Sequence, residues 1–278
     1  MRACDLEYHR PAALAEAVEA FCSLAARGRE PVYYGGGTEI LARARAEASW
    51  PGAIIDLKAI PELRVMDSDG DDLVLGAALS LDEICEHVPW PLLAATAARV
   101  ADHTTRCRIT LGGNLAGRIP YREVALALLL GDVRVRIMGP AGTRSAAFTA
   151  LFRGTLQLAP GEFLVGVRVG ASARLAPHAV TKRTRLDWVD YPIATVAAVR
   201  GPEGVRAAAS GLLATGPVLL EMAEDALAHR RRSAAERADR VAATLPADLL
   251  DDLHASREYR RFVFQRALTD VVERLEGA

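Results

Sequence analysis

Cysteine is scarce and scattered. The chain holds four in 278 residues, Cys4, Cys22, Cys85 and Cys107, and no two are spaced as C-x-x-C. Iron–sulfur and zinc centres usually announce themselves by closely spaced cysteines, so no metal centre is expected within this chain and the thiols read as buried or idle. Histidine is equally dispersed, at 9, 87, 103, 178, 229 and 254. Neither an H-E-x-x-H helix nor a nucleophile elbow is present, which leaves hydrolase chemistry without its groups. A formal net charge of −1 lacks the basic field that nucleic acid or an anionic membrane surface would select. The cluster His229-Arg230-Arg231-Arg232 has no interleaved aromatics and reads as a solvated helix end. No apolar run nears the roughly 18 residues of a membrane helix. The opening MRACDLEYHRP carries charge where a signal peptide needs an apolar centre. The expectation is a cytoplasmic protein with neither a membrane span nor a nucleic-acid partner.

What remains is an ordinary globular composition, 51% hydrophobic and 25% charged, in a chain long enough for two or three compact units. Helical spacing runs over 11–27 and stops at Gly28, and a short strand follows at 32–34. Gly35-Gly36-Gly37-Thr38 then leads into a helix over 39–45. A strand entering a glycine turn and leaving as a helix suits a phosphate, because first-turn N–H groups and the helix dipole favour negative charge. The turn matches neither G-x-G-x-x-G nor a P-loop, and alone it reads equally as a connection with unusual dihedrals. Strands are expected at 53–57 and 73–77, a capping box at Ser80–Glu83, and a helix over 91–102.

The chain is organised around 104–137. At its centre Thr110-Leu111-Gly112-Gly113-Asn114 reads as a second glycine turn, open to close approach by a ligand, although such a turn alone is commonly plain turn chemistry. A helix over Val124–Leu130 and an alternating strand, 133–137, follow it. After the turn at 139–142 come a strand at 163–169 and a linker at 170–177. The remainder reads as a strand at 193–199, a turn at 201–204, an apolar run to Leu213, and helices over 219–229 and 256–275. Strands and helices alternate without a regular βαβ wind, so the fold class is α+β in at least two parts.

Taken together and in order, the two glycine turns resemble the FAD-binding subunit of molybdenum hydroxylases, the flavoprotein family of xanthine dehydrogenase and carbon monoxide dehydrogenase. Tyr8-His9-Arg10-Pro11, the run Ile55 to Leu63, Pro160-Gly161-Glu162-Phe163-Leu164 and Ser256 to Arg261 carry the same resemblance, which spans nearly the whole chain. It implies a two-subdomain FAD-binding fold at 1–170, divided near 57, and a smaller C-terminal α+β domain at 171–278. By resemblance Tyr33, Tyr34, Gly35, Gly36, Gly37, Thr38, Glu39 and Ile40 wrap the pyrophosphate. Thr110, Leu111, Gly112, Gly113 and Asn114 face it from the second turn. Glu123 takes the place of an adenosine-end aspartate, and Val100, Leu164 and Lys182 occupy further flavin-contact positions. Lys182 offsets phosphate charge or the reduced ring on this reading; on its own residues it is equally a solvated strand end. Tyr191 stacks on the isoalloxazine, or packs as an ordinary core tyrosine.

The segment Leu115 to Glu123, LAGRIPYRE, departs from the family's usual small residues and looks most like a bacterial xanthine dehydrogenase-type branch; it offers Arg118 or Arg122 to the pyrophosphate or a partner. The cysteine-bearing insertion of one aromatic-CoA reductase branch is absent. The implied function is electron transfer through FAD, from iron–sulfur clusters of a partner subunit to NAD⁺ or another acceptor. Hydroxylation itself takes place on a molybdenum-cofactor subunit, so no catalytic acid–base residue is expected here. Two alternatives are a self-sufficient flavin oxidase and a non-redox nucleotide-binding assembly module. The oxidase often tethers its flavin near the first glycine turn, yet no His or Cys lies between Cys22 and Cys85.

Overall fold

The computed structural model describes residues 6–47, 50–186 and 189–277; Cys4 and the rest of the first five residues fall outside them. The chain begins β1 (Glu7–His9), α1 (Leu14–Ala26), β2 (Pro31–Tyr34), α2 (Thr38–Ala46) and β3 (Ala53–Asp56). These strands make a parallel sheet in the order β1-β3-β2. The middle strand, Ala-Ile-Ile-Asp, is buried at every position, as a strand covered on both faces must be. Helix α1 buries Leu14, Ala17, Val18 and Leu24, and the chain turns at Gly28 in a left-handed conformation.

Next come β4 (Met66–Asp69), β5 (Asp72–Gly76), α3 (Leu81–His87), α4 (Pro91–Ala97), α5 (His103–Arg106), α6 (Leu111–Ala116), α7 (Val124–Leu130), β6 (Arg134–Gly139), β7 (Gly142–Ala147), α8 (Phe148–Leu151) and β8 (Phe163–Val169). Their strands pair antiparallel as β4-β5-β8-β6-β7. Helix α3 starts at the expected capping box: Ser80 Oγ accepts from the Glu83 amide, and the Glu83 carboxylate accepts from the Ser80 amide. Helix α7 is apolar throughout and buried throughout. Each of its leucines contributes about 1.5–3 kcal/mol of transfer free energy.

The last part is α9 (Ala171–Arg174), β9 (His178–Thr184), β10 (Pro192–Gly201), β11 (Gly204–Ser210), β12 (Val218–Leu219), α10 (Ala223–Ala228), α11 (Ala234–Ala243) and α12 (Arg257–Gly277). Its antiparallel sheet, β12-β11-β10-β9, is apolar on both faces. Val180, Ala197, Val199 and Ala208 join the core that contains α7, whereas Ala179, Ile193, Val196 and Ala198 pack with α10, α11 and α12. The sheet therefore backs α7 on one side and carries the C-terminal helices on the other. Among the described residues, no helix is long and apolar enough to cross a membrane.

The α+β class agrees with the sequence reading; several elements differ from it. Thr110–Asn114 is not a turn: Thr110 caps α6, and Gly112 and Gly113 lie in its first turn without positive φ. The 170–177 linker contains the short α9, and the helix expected over 219–229 is confined to Ala223–Ala228. Helix α11 was not expected, although it opens with its own capping box, Ser233 and Glu236, and of β9 only a strand end at Lys182 was read, as one of two readings.

Candidate functional site: a glycine-lined cavity

The glycine turn between β2 and α2 presses directly on the segment before α6. A Cβ on Gly36 would lie 1.6 Å from the Arg108 carbonyl oxygen, and one on Gly35 would lie 2.5 Å from Thr110 Oγ1. Gly37 has φ +71°, and a Cβ there would meet the Tyr34 ring at 2.1 Å. Only glycine fits this close approach. Beyond it α2 begins with no side-chain cap, so the first-turn amides of Thr38–Ile40 have no partner within their own helix.

The backbone around this turn is tied by the other stretches that the sequence singled out. Lys58 Nζ donates to the Gly35 carbonyl at 2.9 Å and to Asp56 Oδ1 at 2.7 Å, and Tyr8 Oη donates to Asp56 Oδ2 at 2.7 Å. Burial alone would raise the Asp56 carboxyl, but the hydrogen bonds from Lys58 and Tyr8 outweigh it and hold the group below its ordinary value. Tyr33 Oη donates to the Gly161 carbonyl at 2.9 Å, and its ring stacks on Phe21 and leans on Phe163.

These elements enclose one wall of a cavity of about 670 Å³. Tyr33, Gly35–Ile40, Val100, Thr110, Gly113, Asn114, Glu123, Lys182 and Tyr191 all line it. Gly112 and Leu164 line an adjoining cavity of about 200 Å³ that shares Tyr33, Gly35, Thr110 and Gly113 with the first. Tyr34 and Leu111 line neither: Tyr34 packs under Gly37 and below Lys58 Nζ, 4.4 Å from its ring centroid, and Leu111 is wholly buried.

The second glycine segment contributes differently from the first. The amides of Leu111 and Gly112 donate to the carbonyls of Leu79 and Ala77, and that of Gly113 donates to Thr110 Oγ1. What it presents to the cavity is Asn114, whose buried Oδ1 has no partner among the described residues. That orphaned acceptor calls for a hydrogen-bond donor from a ligand or water.

Also lining the cavity, Lys182 Nζ sits 3.4 Å from the Glu123 carboxylate and donates to the Arg99 carbonyl at 2.7 Å. Both side chains are almost fully covered, 5% and 3% exposed, so Lys182 is no solvated strand end. Burial pushes the Glu123 carboxyl above its ordinary range, with Lys182 pulling the other way. The residues assigned by resemblance to an adenosine end and to a flavin or phosphate contact therefore form one ion pair.

Arg122 is also buried and lines the cavity. Its guanidinium donates to the carbonyls of Gly117, Gly154 and Thr215, the last at 3.1 Å, which commits its terminal nitrogens to the backbone. Burial lowers its pKa from the ordinary value. The Arg118 amide donates at 2.9 Å to the Glu39 carboxylate, joining the two glycine-flanked segments. At the cavity mouth Tyr191 stacks on Tyr121 with centroids 4.9 Å apart and meets His254 edge-on. Tyr121 Oη donates to Asp252 Oδ2 at 3.1 Å, and Asp252 Oδ1 accepts from the buried Arg260 at 2.5 Å. Lys58, Tyr121, Asp102 and Thr105 were missing from the expected site. The LAGRIPYRE departure pointed to Tyr121, whereas Asp102 and Thr105 reach the cavity only through the packing of α5.

A family model for the FAD-binding domain of molybdopterin dehydrogenases matches residues 4–171, more than half of the chain. The chain belongs to this family. It is similar to the carbon monoxide dehydrogenase medium chain of Hydrogenophaga pseudoflava, 30% identical over 198 residues that cover 68% of each chain. Its counterpart from Afipia carboxidovorans is 26% identical over 201 residues, 70% of this chain and 68% of that one. Among solved structures, carbon monoxide dehydrogenase from Hydrogenophaga pseudoflava aligns with a TM-score of 0.88 at 24% identity, over 100% of this chain and 99% of that chain, a likeness of fold. As a molybdopterin dehydrogenase FAD-binding chain, this protein is an oxidoreductase subunit whose cofactor is FAD. The residues present fit such a group. A side-chain-free glycine cradle, uncapped helix amides and the orphaned Asn114 acceptor are what a large, polar, phosphate-bearing ligand requires.

Proposed function

We propose that this chain is the electron-relay subunit of a heteromeric molybdenum hydroxylase, receiving electrons from iron–sulfur clusters on a partner subunit and delivering them to NAD⁺ or another acceptor. The observation that carries the reading is the cavity itself, lined by both the glycine cradle and the Glu123–Lys182 pair. Bound FAD supplies the redox chemistry; the protein positions it and sets its electrostatics. The amides of Thr38–Ile40 and the α2 dipole orient the pyrophosphate. Lys58 holds the carbonyl of Gly35 so that the cradle keeps its shape. Lys182 brings a covered positive charge to the cavity wall, and the Tyr191–Tyr121 stack screens the mouth from water. We assign the FAD-binding part to residues 1–170 and a separate α+β domain to 171–278, a division supported by the extent of the family match.

The test is an assembled complex of this chain with its iron–sulfur and molybdenum subunits. Stripping FAD from it should stop electron delivery to the acceptor while substrate still reduces the iron–sulfur clusters. Acceptor reduction that continues unchanged without FAD would overturn the relay assignment.

A further inference from the structure

On the outer side of the cavity wall, three side chains from two helices converge. Asp82 lies in the first turn of α3; His103 and Cys107, four apart, project from the same face of the α5 turn, so one can sit beside the other. The donor atoms of all three lie within 4.8 Å of one another. His103 Nδ1 is 2.7 Å from Asp82 Oδ1, and its Nε2 is 3.8 Å from Cys107 Sγ. We propose that Asp82, His103 and Cys107 form a binding site for one divalent metal ion of the zinc class.

The donor set is that of a borderline-soft cation: a thiolate, an imidazole and a carboxylate. Bonds of about 2.3 Å to sulfur and about 2.0 Å to nitrogen at a tetrahedral angle put those two atoms about 3.5 Å apart, close to the separation found here. Three protein ligands leave a fourth position open to water or a partner chain. The same order of groups would activate a cysteine nucleophile, but none of the three lines either cavity, so no substrate is held against the thiol. Sequence spacing hid the site, because Asp82 is 21 residues from His103. Since Val100, Asp102, Thr105 and Ile109 line the cavity on the inner side of the same segment, the metal would pin α3 to the cavity wall.

The site is independent of the electron-relay reading and is tested on the full-length chain after treatment with a chelator. Cobalt(II) titrated into it should give a thiolate-to-cobalt charge-transfer band that saturates at one equivalent and is displaced by zinc. Cys107→Ser should lose the band, and Asp82→Ala, which removes the carboxylate ligand, should lose tight binding. His103→Ala, at a ring 66% exposed that carries no core packing, should lose tight binding with thermal unfolding in chelator unchanged. Absence of the band in the wild-type chain, or wild-type affinity in Cys107→Ser, overturns the proposal.

Discussion

Lys182 and Glu123 form an ion pair at 3.4 Å, closed off from solvent, in the wall of the cavity that the glycine cradle also lines. Neither charge is stable there alone. Removing one partner of a buried pair costs about 3–5 kcal/mol, because the other is left uncompensated. Lys182→Met is therefore expected to lower the unfolding free energy by that order and to weaken FAD retention. The double variant with Glu123→Gln should recover most of the stability. Denaturant unfolding of the three variants forms the cycle that measures the coupling.

Asp56 ties Tyr8 and Lys58 together beside the glycine turn, where Lys58 also holds the Gly35 carbonyl. Asp56→Asn should cost about 1.5–3 kcal/mol, the scale of hydrogen bonds to a charged group. Its folded pKa is depressed, so the stability it brings is present above the unfolded value of about 3.9 and is lost as pH falls through the lower folded value. Melting curves of wild type and variant should stay apart at neutral pH and converge in acid below about pH 4. A gap that persists at low pH would assign the effect to packing instead.

Gly36→Ala drives a methyl into the Arg108 carbonyl and should prise the cradle from the α6 segment, at a cost of about 1–3 kcal/mol, and reduce the FAD that copurifies. Gly170→Ala is the control, since its added Cβ would meet only Asp72 Oδ1, at an ordinary 3.5 Å. Equal FAD content in both variants would remove the cradle from the site.

Tyr191 is 48% exposed and rests on Tyr121 at the mouth. Tyr191→Ala should make bound flavin more accessible to iodide quenching, while Tyr121→Phe, which loses only the bond to Asp252, should change it less. If neither alters the quenching, the tyrosine pair does not cover the flavin.

Local chemistry was legible and long-range contact was not. The Gly35–Thr38 junction, the Ser80–Glu83 capping box and the apolar Val124–Leu130 helix each rest on neighbouring residues, and each stands where the sequence put it. The glycines of Thr110–Asn114 misled because they serve close packing, not a turn: a Cβ on Gly112 would lie 2.9 Å from that of Ala77. Strand β9 was hard to read because His178–Thr184 mixes charged residues into a run whose apolar positions are covered by α4 and α12. Arg122, the Tyr121–Asp252–Arg260 chain and the Asp82–His103–Cys107 cluster join residues far apart in sequence, which single-chain patterns do not reveal.

The most direct test is the cofactor content of the purified full-length chain. Its absorbance spectrum is recorded, then the protein is precipitated with acid and the supernatant identified. Free FAD approaching one per chain is the expected result. Flavin that stays with the pellet would mean a covalent tether and an oxidase-like protein. No flavin, even after FAD is supplied in excess, would contradict the claim that this cavity is a flavin site.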